Sequence, residues 1–441
     1  MRSVRMRVLA TLLVRAAVGA VGRQLLPSEG EEGGTITVGT TDAVTSLDPA
    51  GAHDAGSWAL FSNVFQSLLT FEAGGASPVP DAADSCAWSD SGLRVYRCEL
   101  REGLTFPSGR TMTAEDVKYS FDRVRAIKSD VGPASLLDTL DSVDADGLTV
   151  TFRLSSPDAT FPFKVATGAG SIVDRTKYPK NGLRTDNGVD GSGPYELSSY
   201  RGGRAGGPGA QRGRYEGAVE ETGRPVELRY FEDAGRLDRA WKGRRIDVAT
   251  RQLPPDALAE LDPGDPDQRV SEADSSEVHN LYLNTRAGSP LHDVRVRQAM
   301  AWLVNREKLA ATVYQGTVDP LYSLIPTGIT GHTTSFFDAY PQQNAGRARA
   351  LLEKAAELKT QLESGGLFKV TLKGYEWTDF QKRWAAGKLD AYGVGWVADF
   401  PDPDTYGGPL VGTEGTMNTG YSDSAVDRLI QKSQRWWAVF E

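Results

Sequence analysis

Cysteine, histidine and methionine are scarce in this chain of 441 residues, which holds two, four and five of them. The histidines (His53, His279, His292, His332) are scattered and stand near neither thiol, so no metal site and no cofactor is expected. Long apolar runs are missing: none reaches the roughly 20 residues of a membrane helix, which excludes a chain that spans the bilayer by helices. Positive charge is in deficit. The net charge is −9, and five of the 49 basic residues (Arg2, Arg5, Arg7, Arg15, Arg23) precede the first acid, so the remainder is more acidic still. A sequence-independent nucleic-acid binder carries a basic surface, so no nucleic-acid partner is expected. Gly-x-Ser-x-Gly and His-Glu-x-x-His do not occur. A glycosidase using Asp399 with Asp402 or Asp404 has only the abundance of carboxylates behind it. No enzyme is expected.

What is present fits a loop-rich α/β protein. Hydrophobic residues make up 39% and charged residues 24%, with 48 Gly and 23 Pro, enough to bury a core in two to four lobes. Residues 1–23 open with three arginines and pass into a small-apolar run, the shape of a secretory signal, although Arg15 interrupts it. Cys86 and Cys98 flank Ser89-Asp90-Ser91-Gly92, which reads as a turn, and Leu93–Tyr96, which alternates as a strand. A hairpin brings the two cysteines face to face. In an exported protein they are expected to pair; the alternative is two unpaired thiols.

Elsewhere, Thr35–Gly39 reads as a strand and Trp58–Leu69 as an apolar helix. Thr113 heads a helix whose Asp116 completes a capping box, with Val117, Phe121 and Val124 on one face. Leu148–Leu154 alternates strictly, and Val278–Asn284 and Leu389–Trp396 are further strands. Val296, Met300, Leu303 and Val304 mark one helix; Ala348, Leu351, Leu352 and Ala355 mark another. The Gly/Arg-rich run 201–213 has no periodicity and reads as a flexible loop. Gly191, Gly193 and Pro194 read as a bend.

Five segments in order carry a resemblance: Ser46-Leu-Asp-Pro49; Leu104–Gly109 with Thr113–Phe121 and Arg123; Gly191–Tyr195; Asp293–Ala299 with Asn305–Leu309; and Gly395-Trp-Val-Ala-Asp399 running into Pro401–Tyr406. Together they resemble the extracytoplasmic solute-binding proteins of ABC importers, in the family that binds oligopeptides and dipeptides. The resemblance implies an α/β fold: a two-lobed periplasmic-binding-protein-like clamp with an additional inserted domain. On that plan residues 24–55 and 166–280 form the first lobe, 56–165 the insert with the cysteine hairpin, and 281–441 the second lobe. That lobe is expected to be incomplete, because Leu352–Lys369 is short for the family and Glu441 falls in mid-helix.

The implied function is capture of a peptide between the lobes and delivery to an ABC permease in the membrane, by a monomer outside the cytoplasm. Neither cysteine lies near the signal, so no lipid-anchor cysteine is seen. Other solutes, such as an oligosaccharide or a metal chelate, and a sensory clamp without transport stay open. The resemblance makes Asp399 the partner of the peptide's α-amino group, since a buried ammonium requires a carboxylate. Gly395, Trp396, Val397 and Ala398 would pair with the peptide main chain, Trp396 and Tyr406 would form apolar walls, and His53 to Gly56, with Ala55, would face the peptide from the first lobe. Asp402 and Asp404 are read as turn acids.

Overall fold

The computed structural model describes residues 34–201, 204–206, 209–210, 225–271, 276–344, 347, 369, 373–375, 377–413 and 415–435. The signal-like segment, the helix expected at 348–355 and the stretch before Lys369 expected to be short lie outside the described residues. Three sheets position the site. The first has five strands in the order Val248–Thr250, Ile36–Thr40, Val226–Tyr230, Arg204–Gly206, Ser199–Arg201. Its first three strands are parallel, with Ile36 opposite Val226 and Val38 opposite Val248. Helix Ala234–Lys242 makes the crossover between two of them, burying Leu237 and Ala240 against Ile246.

The second sheet is antiparallel, in the order Ala83–Trp88, Val95–Leu100, Thr149–Leu154, Leu140–Asp146. Cys86 faces Cys98 across the hairpin and the two form a disulfide. Helix Ala114–Ile127 lies over this sheet; Phe121 meets Phe152 edge-on at 4.8 Å. The Thr113 N–H donates to the Asp116 carboxylate at 3.0 Å, as the capping box requires. Asp116 also takes Arg110, which reaches on to Asp174. This segment is thus an ionic scaffold in which Arg110 joins the buried carboxylates of Asp116 and Asp174. The third sheet pairs Val278–Leu283 with Ala391–Trp396, antiparallel, with Tyr282 stacked on Tyr392 at 5.3 Å.

Two expectations need correction. The Gly/Arg-rich run is partly ordered sheet: Arg204–Gly206 pairs with both neighbours, and Gly209–Ala210 pairs with Tyr195–Glu196. Backbone pairing does not require apolar side chains, which is why periodicity missed it. The apolar helix spans Ala55–Val64 and does not reach Leu69. Phe65 is extended at its C-cap, and Leu69–Phe71 is a strand. Gly193 seals that helix end: its N–H donates to the Val64 carbonyl at 3.1 Å, and a Cβ there would fall 2.5 Å from the Val64 carbonyl carbon.

Candidate functional site

A cleft of about 1740 Å³ lies between the five-stranded sheet and the Val278–Leu283/Ala391–Trp396 pair. Asp399 sits in its wall, with its side chain 7% exposed. The loop that carries it is fixed by its own sequence. The Asp399 N–H donates to Thr405 Oγ1 at 2.9 Å, and the Trp396 indole N–H donates to the Thr405 carbonyl at 2.8 Å. Asp402 accepts the Asp404 N–H, a turn acid as expected, and Pro403 leads into helix Asp404–Val411.

His53 reaches Asp399 from the other side of the cleft, Nε2 to Oδ1 at 2.9 Å. Its backbone N–H donates to the Val131 carbonyl at 2.9 Å. Its ring stacks on Trp58, with centroids 4.9 Å apart and 21° between planes, and meets Trp396 edge-on at 6.2 Å. Trp58 is held by a hydrogen bond from its indole to the Ala52 carbonyl and by Gly168, where a Cβ would lie 2.6 Å from the indole. Burial pushes the His53 imidazolium down, but the charge and hydrogen bond of Asp399 and the charge of Asp54 outweigh it and raise its pKa above 6.5. Burial likewise raises the Asp54 carboxyl, against hydrogen bonds from Ser57 at the start of helix Ala55–Val64.

Gly395, Trp396, Val397, Ala398 and Ala55 all line the cleft. Tyr406 does not: it is fully buried, its hydroxyl donates to the Ser276 carbonyl at 2.6 Å, and it packs with Trp396 and Leu410. Its helix turns the ring inward, so the expected wall is a core residue. Trp396 is mostly core as well, at 8% exposure, with one face left to the cleft.

The residue-by-residue reading missed Trp58 and a polar chain on the cleft wall. In that chain Arg251 bridges Asp42 at 3.3 Å and Glu277 at 2.9 Å, and Glu277 meets His279 at 3.1 Å. The hydrogen bond from His279 and the charge of Arg251 hold the Glu277 carboxyl below its usual range in spite of burial. Arg251 and Gln252 both have positive φ, 60° and 54°, a strained pair of the kind that gathers at binding sites. Nothing local in the sequence marks them.

Behind the cleft, Lys164 Nζ lies 2.8 Å from Asp158 and 3.8 Å from Asp404, and Gln434 donates to Asp404 at 3.0 Å. Asp404 is therefore more than a turn acid. It joins distant parts of the chain.

Residues 77–361 match the family model described as bacterial extracellular solute-binding proteins, family 5 middle. The chain belongs to this family. The solute-binding protein is 25% identical to di/tripeptide-binding protein 1 of Pseudomonas aeruginosa, over 84% of its own length and 78% of that relative. It is 26% identical to a probable D,D-dipeptide-binding periplasmic protein of Escherichia coli, over 82% and 69%. Among solved structures it is similar to OppA of Burkholderia pseudomallei, at 20% identity and a TM-score of 0.79, covering 92% of this chain and 88% of that one. The solute-binding protein thus has the two-lobed α/β clamp fold.

Proposed function

We propose that this solute-binding protein takes peptides into the cleft, with the free α-amino group on Asp399, and delivers them to an ABC permease. The observation that carries this reading is a carboxylate buried in the cleft wall at the end of a strand whose backbone lines the same cleft. A desolvated ammonium needs such a partner, and main-chain pairing along Gly395–Ala398 would accept many side chains. Curated relatives bearing the names of dipeptide- and di/tripeptide-binding proteins support the choice of solute. His53, Ala55 and one face of Trp396 would complete the pocket. On this reading residues 24–55 and 166–280 make the first lobe, 56–165 the inserted domain and 281–441 the second lobe. The protein works outside the cytoplasm as a monomer, without catalysis and without a nucleic-acid partner.

The test is thermal unfolding with a mixed peptide pool, beside the same pool after N-acetylation. Ligand at 100 times its Kd adds about 2.7 kcal/mol, visible as a raised midpoint. Stabilisation by the free-amine pool alone, lost in Asp399→Asn, is expected. Equal stabilisation by both pools would overturn the amine anchor.

A further inference from the structure

We propose that His53 is a built-in competitor for the peptide's amine, holding Asp399 until an incoming ammonium takes its place. The inference rests on the peptide reading above. Its basis is the set of contacts around the ring. The imidazole binds Asp399 Oδ1 at 2.9 Å, while among the described residues Oδ2 has only a long contact from the Thr405 hydroxyl at 3.4 Å. The ring lies flat on Trp58, edge-on to Trp396, and is 10% exposed in its side chain. Two indoles and a carboxylate, with a second carboxylate close by at Asp54, make a setting for a cation. The protein's own His53 ring fills it.

The titratable groups that act on His53 are Asp399 from across the cleft and Asp54 from its own segment, and both favour the charged ring. An imidazolium and an ammonium on one buried carboxylate repel each other. Entry of the amine therefore requires the ring to give up its proton. The Nε2–H bond breaks, the proton passes to buffer, and the ammonium keeps its own three protons. The neutral imidazole can then accept a hydrogen bond from that ammonium. Peptide affinity should thus rise with pH while the ring is charged, by up to about tenfold per pH unit, then level off. It should fall again only as the α-amino group itself deprotonates near its ordinary pKa of about 8.

The experiment follows the pool concentration that gives half the maximal midpoint shift, from pH 5.5 to 7.5, in the full chain. The wild type should need up to about tenfold less pool per pH unit before the plateau, whereas His53→Gln should respond equally at every pH. If that variant does not fold, carbon-labelled histidine NMR of the wild type decides, with the free-amine pool lowering the titration midpoint of the His53 ring. A flat wild-type profile, or one that keeps its slope in His53→Gln, overturns the competitor; if Asp399→Asn still abolishes the response, the peptide reading survives. No response to the pool at any pH overturns both.

Discussion

Asp48 and Arg123 close a bidentate ion pair across 75 residues of chain, at 3.0 and 2.7 Å, with side chains 0% and 2% exposed. Asp48 also accepts the N–H groups of Ala50 and Arg184, and Arg123 donates to the carbonyls of Pro179 and Gly182. Two of the segments that carry the family resemblance are thus one buried network. It fixes the turn from which His53 enters the cleft.

Removing one partner leaves the other charge buried and unpaired, which costs about 3–5 kcal/mol. Arg123→Met should lower the urea unfolding free energy by that much. A loss below about 1 kcal/mol, the range of exposed pairs, would show the network to be unimportant.

Cys86 and Cys98 are 12 residues apart in the chain and bonded across a hairpin. Closing a loop of this size stabilises by about 3 kcal/mol on the chain-entropy model. Reduction, or the double change of both cysteines to serine, should lower the calorimetric midpoint. An unmoved midpoint would mean the four-stranded sheet holds the hairpin unaided.

The Lys164 cluster should respond unequally to its two acids. Burial raises the Asp404 carboxyl in spite of Lys164, whereas for Asp158 burial is outweighed by Lys164 and by hydrogen bonds from Thr160 and Thr139, which lower it. Asp158→Asn should therefore destabilise more than Asp404→Asn in chemical denaturation. The reverse order would place the cluster's charge on Asp404.

Without peptide, His53 should make stability depend on pH. Its folded pKa is raised above the unfolded value of 6.5, so its contribution is fully present below about pH 6.5 and lost as pH rises through the higher folded value. Thermal midpoints should fall from pH 6 to pH 8 in the wild type and less so in His53→Gln. Parallel curves for the two proteins would show that the pair adds no stability.

Local chemistry alone determined a good deal of this protein. The capping box at Thr113 and Asp116, the alternation over Leu148–Leu154 and the turn between Cys86 and Cys98 each report contacts made within a few residues. Segments in order, such as Thr113–Phe121, pointed to the family, and Gly395–Asp399 pointed to the cleft wall. Tertiary structure decided what those segments meet. His53 and Asp399 lie 346 residues apart, and only the packing of two sheets around one cleft joins them. Tyr406 turned inward because its helix faces the core, and Arg204–Gly206 became a strand because backbone pairing is blind to side chains. Periodicity records how a segment divides between core and solvent. It holds no record of which distant segment lies opposite, and that pairing makes the site.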